Sequence, residues 1–250
     1  MSNFAVVIPA RYASERLPGK PLRKIAGKDL LQHVFERATE SDADEVVVAT
    51  DDARIEQAAR KFGADVCMTD PAHRSGTERL AEVARLRGWA DDLVVVNLQG
   101  DEPMMPPALI NQCASLLQSR DVVMATLASP VASAEDFDNP NVVKVVLDAN
   151  QDAIYFSRAA IPHPRSSSMK DTAIKAALHH HGIYAYRVAT LQQIVAAAPS
   201  QLERIEQLEQ LRALEMGIRI RVGRPASRPG PGVDTEADLL RVEQLILAGA

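Results

Sequence analysis

Residues that could grip a polyphosphate are gathered near the start of this chain. Residues 1–28 hold Arg11, Arg16, Lys20, Arg23, Lys24 and Lys28 against one acid, Glu15, in a protein of formal net charge −5. The segment reads VVIPAR (6–11), YASERLPGKPL (12–22) and IAGKDLL (25–31), so an apolar strand runs straight into a cationic loop. Arginine binds phosphate oxygens bidentately and lysine acts as a point charge. Gly19 permits close backbone approach, while Pro18 and Pro21 stiffen the turn. The pattern is neither a P-loop nor a G-x-G-x-x-G fingerprint, so ATPase and dinucleotide readings lose support. A solvated basic loop is the plain alternative. Its place after the first strand, where open α/β sheets bind ligands, favours a polyphosphate.

Four further clusters carry candidate chemistry. Gln99-Gly100-Asp101-Glu102 follows the apolar run LVVVNL (93–98), and a carboxylate at a strand end suits Mg²⁺, which takes one or two carboxylates plus substrate phosphates. Asp234, after a glycine-rich loop, could supply the second acid, or could serve only as a helix cap. His73-Arg74-Ser75-Gly76-Thr77-Glu78-Arg79 enters a helix, where free amides favour anions and where Ser75 and Thr77 could equally cap. His179, His180 and His181 suggest metal at first sight. Consecutive strand residues face opposite ways, so the three cannot share one ion, and a polar sugar-contacting strand fits better, with Tyr184 and Tyr186 as plain core residues the alternative. Leu202–Met216 has helical period, with Leu202, Ile205, Leu208 and Leu211 or Arg212 on the packed face and its charges on a solvated one.

The elements that must hold these groups alternate. Apolar runs at Ala5–Ile8, Glu45–Ala49, Asp65–Met68, Leu93–Leu98 and Val122–Ala128 read as strands. Helical period at Leu30–Glu40, Arg54–Phe62, Thr77–Arg87 and Pro107–Leu117 separates them. That pattern predicts an α/β fold, doubly wound, with a mainly parallel mixed sheet. Near Val131 the alternation stops. Val142–Leu147, the turn 148–151 and Ala153–Ser157 read as a hairpin, Pro162–Thr172 as loose and exposed, and Gly182–Arg187 and Ile218–Val222 as strands. Thr235 and Asp238 form a capping box that opens the last helix. We therefore divide the chain into an α/β core, 1–130 plus 215–250, and an inserted α+β lobe, 131–214.

Composition excludes several classes. Aromatic residues are only 4% of the 250, which gives no stacking platform for single-stranded nucleic acid, and the net negative charge disfavours a nucleic-acid partner. Cys67 and Cys113 stand alone in apolar stretches and read as reduced core residues. No run of about 18 apolar residues spans a membrane. The amino terminus lacks a secretory profile, so a cytoplasmic protein is expected.

Taken together, IPARYASERLPGKPL, HRSGTERLAEV, NLQGDEPM, NPNVVKVVLD, YFSRAAIP, HHGIYAYR, LEQLRALE and GVDTEADL occur in the order found in the 3-deoxy-manno-octulosonate cytidylyltransferase family. The chain resembles that family over almost its whole length. IPAR with LPGKPL is shared with other nucleotidyltransferases, while YFSRAAIP with HHGIYAYR and LEQLR is specific. The resemblance implies transfer of CMP from CTP to the anomeric hydroxyl of 3-deoxy-D-manno-octulosonate (Kdo), with release of pyrophosphate, for lipopolysaccharide synthesis. It implies Mg²⁺ dependence, a homodimer, and a nucleotide domain with a smaller lobe serving the sugar pocket and dimer contact. By motif, Arg11, Arg16 and Lys20 fall on the triphosphate and join Asp101 as catalytic residues. Ala10, Arg11, Ser14, Ser75, Gly76, Thr77, Arg79 and Gln99 fall at the nucleotide. Asp101 and Asp234 would hold Mg²⁺, and Arg158, His180, Tyr184, Glu209 and Gln210 would contact Kdo, with Arg158 the cation for its carboxylate.

The chain departs from the family pattern at Asp29, where proline is usual, at His181, usually aliphatic, and over Pro162–Thr172. With no His or Cys nucleophile evident, direct in-line displacement is expected. Two rival readings are a cytidylyltransferase for a related acid sugar (amino-substituted Kdo or a sialic acid) and a non-catalytic sugar-nucleotide sensor. A sensor needs no paired metal carboxylates.

Overall fold

The computed structural model describes residues 3–14, 16–227 and 229–249. Glu15 of the cationic loop and Arg228 of the late Pro/Gly loop lie outside the described residues. In chain order the strands are β1 (Phe4–Ala10), β2 (Lys24–Ile25), β3 (Lys28–Asp29), β4 (Glu45–Thr50), β5 (Asp65–Met68), β6 (Val94–Asn97), β7 (Met124–Pro130), β8 (Lys144–Leu147), β9 (Ala153–Ser157), β10 (Leu178–Arg187) and β11 (Arg221–Gly223). The helices are α1 (Leu30–Thr39), α2 (Ala53–Lys61), α3 (Gly76–Arg87), α4 (Pro107–Ser115), α5 (Ala134–Asp138), α6 (Lys170–Ala176), α7 (Val188–Ala196), α8 (Gln201–Glu206), α9 (Gln210–Glu215) and α10 (Glu236–Leu247).

The main sheet runs β11-β7-β10-β6-β1-β4-β5, and β8 and β9 extend it from the start of β10. Neighbours are parallel except that β10 is antiparallel to β6, β7 and β8, and β8 is antiparallel to β9. The mainly parallel, doubly wound architecture expected from the alternation is what forms. β10 comes from within 131–214 and runs through the middle of the main sheet. Because β4 and β6 flank β1, the chain order reverses at β1. The crevice beyond the carboxyl ends of β1 and β6 is thus the switch point where such sheets take ligands.

Both sheet faces are covered, so strand residues are apolar on both sides. Val6, Ile8, Val94, Val96 and Leu98 pack with Leu31, Val34 and Leu109 on one face. Val7, Val47, Val95 and Tyr184 pack with Leu80, Val83 and Leu191 on the other. Cys67 and Cys113 are buried and unpaired. No helix of the described residues is long and apolar enough to cross a membrane.

Two expectations need correction. Leu202–Met216 is not one helix: it breaks into α8 and α9 at Gln207, whose φ is 52°. Leu208 and Leu211 are buried as expected, but Ile205 is 68% exposed and Leu202 also reaches solvent. A left-handed residue redirects the chain, so a face continuous in sequence is discontinuous in space. Within Pro162–Thr172 the exposure is as expected, yet a 3₁₀ turn at Ser167–Met169 leads into α6, anchored by buried Ala173.

Candidate active site

The cationic loop is pinned between buried Leu17 and Pro21. Gly19 takes φ 65°, a conformation costly for any residue with a Cβ, and its amide donates to Tyr12 O. The following 3₁₀ turn aims Lys20 across the switch point. Its Nζ lies 2.8 Å from Asp101 Oδ2, 3.1 Å from Asp234 Oδ1 and 3.1 Å from Val233 O. Burial would lower the Lys20 pKa, but Asp101 and then Asp234 outweigh it and raise it. Arg16 reaches the same Asp234 at 3.1 Å from a largely exposed position. Arg11 donates to the carbonyl of His73, tying this loop to the entry of α3.

The two acids come from distant segments. Asp101 follows β6 through Gly100, where a Cβ would sit 2.7 Å from the carbonyl oxygen of Pro9, so only glycine lets the ends of β6 and β1 meet this closely. Val233 N donates to Asp101 O, and the Thr235–Asp238 capping box fixes Asp234 at the start of α10. Burial, and then repulsion from Asp101 and Asp234, push the adjoining Glu102 carboxyl up to about 8. Among the described residues no three His, Cys, Asp or Glu side chains are arranged as an all-protein metal cage. The donor set still fits Mg²⁺. Two carboxylates converge on one cationic centre, the Lys20 ammonium, and Mg²⁺ draws its other ligands from phosphate and water.

Two adjoining cavities open here. The first, of 320 Å³, lies over the loop, and Ala10, Arg11, Ser14, Lys20, Ser75 and Gly76 line it, with Gln99 and Asp101 at one edge. The second, of 380 Å³, reaches toward β10 and α9 and takes in Thr77, His180, Tyr184, Glu209 and Gln210. Gly76, Gln99, Asp101 and Glu209 belong to both. Both volumes suit small-molecule ligands. Most residues expected at the nucleotide and at the sugar are therefore brought together.

Arg79 and Arg158 are placed elsewhere. Arg79, on α3, is fully buried, donating to Thr69 Oγ1 at 2.6 Å and to Asp51 at 2.7 Å. Arg158 lies outside the residues lining either cavity. Its guanidinium donates to the carbonyls of Glu206, Gln207 and Pro140, bracing the break between α8 and α9. That break is what delivers the sugar-side residues. The buried Arg212 holds Glu203 at 2.8 and 2.5 Å across it, and Glu209 then accepts from Thr77 Oγ1 at 2.8 Å. The charges of this segment, read in sequence as a solvated face, include a buried pair.

His180 is buried, and burial brings its imidazole pKa down to about 3, so the ring is neutral. Thr126 Oγ1 passes its single proton to Ile183 O at 2.6 Å, which makes His180 Nε2, 3.0 Å away, the donor and leaves Nδ1 as acceptor. His181 instead meets Ser129 Oγ at 2.9 Å. Lys24 of the β2–β3 hairpin pairs with Asp29 at 3.0 Å, so the acid that replaces proline there has a partner. Sequence reading assigned no site role to Asn97, Tyr186 or Arg212, which line the second cavity, or to Arg74, which lines the first, although Arg74, Tyr186 and Arg212 stand within segments it singled out. Asn97 had a signal of its own, as an amide interrupting an otherwise apolar central strand.

Comparison with known proteins agrees with this fold. The cytidylyltransferase family profile matches residues 5–220. The 3-deoxy-manno-octulosonate cytidylyltransferases of Yersinia enterocolitica and Yersinia pseudotuberculosis are each 52% identical over 247 residues, covering 98% of this chain and 99% of the relative. A solved CMP:2-keto-3-deoxy-manno-octonic acid synthetase complexed with CTP superposes over the full length of both chains, with TM-score 0.91 and 45% identity. A 4-diphosphocytidyl-2C-methyl-D-erythritol synthase, 14% identical with TM-score 0.65 over 98% of this chain and 100% of its own, shares the fold. Identity of that depth extends over nearly the whole chain: the chain belongs to the 3-deoxy-manno-octulosonate cytidylyltransferase family.

Proposed function

We propose that this protein transfers CMP from CTP to Kdo, giving CMP-Kdo and pyrophosphate. The observation that carries the reading is the pair of cavities meeting at Gly76, Gln99, Asp101 and Glu209, cationic on one side and polar on the other. The basic cavity takes CTP and the second takes the acid sugar, so the anomeric oxygen and the α-phosphorus meet at the shared wall.

In that arrangement the anomeric hydroxyl attacks the α-phosphorus in line. A bond forms between that oxygen and phosphorus, the α–β bridging bond breaks, pyrophosphate departs with the electron pair, and the hydroxyl proton passes to solvent. Such transfers depend mostly on positioning and charge neutralisation. The amides at the start of α3 and the side chains of Arg11 and Arg16 receive phosphate charge. Once nucleotide arrives, Lys20 is placed to turn from the acids to the leaving pyrophosphate. Asp101 and Asp234 would hold Mg²⁺, whose charge would offset that of the phosphates and lower the hydroxyl pKa. A cytoplasmic homodimer, assembled through 131–214, belongs to the same proposal; exposed Ile154 and Met169 on that segment support it.

The test is pyrophosphate release with CTP, UTP and ATP against Kdo, with and without Mg²⁺, alongside light scattering for the oligomer. Turnover with CTP and Mg²⁺ alone is expected. Faster turnover with UTP would overturn the assignment.

A further inference from the structure

Three buried polar side chains lining the second cavity have an atom with no partner among the described residues: Asn97 Oδ1, Tyr184 Oη and Gln210 Nε2. Their residues are 2%, 7% and 8% exposed. Asn97 ends β6 and pairs in register with Tyr184 on β10. Strand alternation puts both on the face of Val95 and Tyr186, the face over which α9 carries Gln210. Burying an amide oxygen unpaired is unfavourable, and an aliphatic residue of the same size would suit the middle of an apolar sheet better. Such atoms persist where a ligand completes them.

We infer that Asn97 is a specificity-determining residue that accepts a hydrogen bond from a hydroxyl of the sugar. The inference rests on the reading of the second cavity as the Kdo site and adds a residue to it. The three groups are complementary in kind. Asn97 Oδ1 accepts, Gln210 Nε2 donates, and Tyr184 Oη keeps its proton because burial raises its pKa further. A ligand that satisfies them must present both a hydroxyl proton and an acceptor oxygen at close quarters, which is the signature of a polyol. A carboxylate carries no proton for Asn97, so the acid group of the sugar lies elsewhere in the cavity. A site built to bond a hydroxyl rejects the analogue that lacks it, because its own polar atom is then left unpaired.

The experiment compares the full-length wild type with Asn97→Leu, using Kdo and a set of Kdo analogues each lacking one hydroxyl. Wild type should lose at least about 10-fold in kcat/KM on one analogue. Asn97→Leu should lose at least about 10-fold on Kdo and no longer separate Kdo from that analogue, with CTP affinity by calorimetry unchanged. Its Tm should match or exceed that of wild type, since a buried unpaired atom is gone. A purely structural role would lower Tm and leave the discrimination intact, which overturns the inference. Should the leucine variant fail to fold, the wild-type panel decides: equal kcat/KM on all analogues also overturns it. The two readings fail separately. If wild type releases no pyrophosphate with Kdo, the proposed function falls; if it does, and Asn97→Leu behaves like wild type on every sugar, only the role of Asn97 falls.

Discussion

Replacing Lys20 by methionine keeps the shape of the side chain and removes one charge from the junction of the two cavities. Lys20 Nζ is 2.8 Å from Asp101 and 3.1 Å from Asp234. Those contacts put the two carboxylates within about 6 Å of each other, close enough to repel. Each attraction is worth about 5–6 kcal/mol before desolvation at an effective dielectric of 20. Breaking a buried pair costs about 3–5 kcal/mol, whereas exposed pairs contribute about 1 or less. With Asp101 a third exposed and Asp234 half exposed, we expect a net loss of about 2 kcal/mol, or about 4–8 °C in Tm for a chain of this size. Lys20 has a raised pKa, so its contribution is complete below the ordinary lysine value and is lost only as pH rises through the folded value. The Tm difference should therefore be flat from about pH 6 to 9. Mg²⁺ without nucleotide should raise the Tm of the variant more than that of wild type, because the ammonium competes for the same two acids. Turnover should fall on the order of 100-fold, the loss of one preorganised charge at the transition state. Differential scanning fluorimetry and coupled pyrophosphate release measure these separately. A variant that melts with wild type and turns over within about 3-fold of it would remove Lys20 from both roles.

Further outcomes follow from the same geometry. Gly100→Ala forces a Cβ against Pro9 O, so CTP affinity measured by calorimetry should drop at least about 10-fold as the ends of β1 and β6 are pushed apart. In metal-free protein, Glu102 keeps its proton to about 8 while the unfolded chain loses it near 4, so stability falls as pH rises between those values. Glu102→Gln should abolish that slope in thermal melts in EDTA at pH 5, 7 and 9; an unchanged slope would assign it to other groups. Glu203→Ala strands the buried Arg212 guanidinium and should cost about 3 kcal/mol. Because Arg212 holds the Glu203 pKa down despite its burial, the wild-type advantage is present above the ordinary carboxylate range and lost as pH falls below it.

Much of the fold was legible because its signals are local. β5 and β9 fall on the residues expected, and α1, α2, α3 and α4 start and end within two residues of their periodic segments. The Thr235–Asp238 capping box forms as read, since hydroxyl, amide and carboxylate are all within one turn. The residues of the first cavity were legible for a similar reason: Ala10, Arg11, Ser14 and Lys20 lie on one short loop whose place after β1 is set by alternation. The break at Gln207 was not. Its segment has unbroken helical period, and what bends it is the buried Glu203–Arg212 pair together with Arg158 arriving from β9 onto the carbonyls of Glu206 and Gln207. Arg158 and Arg79 show the matching limit. An arginine in a motif does not reveal whether its fork meets a ligand or the protein's own carbonyls and carboxylates.

By itself the sequence determined the parallel α/β layering, the strand ends from which site loops leave, and a cationic loop directly after the first strand. Those properties follow from side-chain period, turn chemistry and charge, each readable within about ten residues. Tertiary structure alone decided that Lys20 sits between Asp101 and Asp234, that Arg158 braces a chain reversal, and that Asn97, Tyr184 and Gln210 share one cavity with unpaired atoms. Each of these depends on which distant segments pack together, and whether a buried polar group has a partner is a property of that packing.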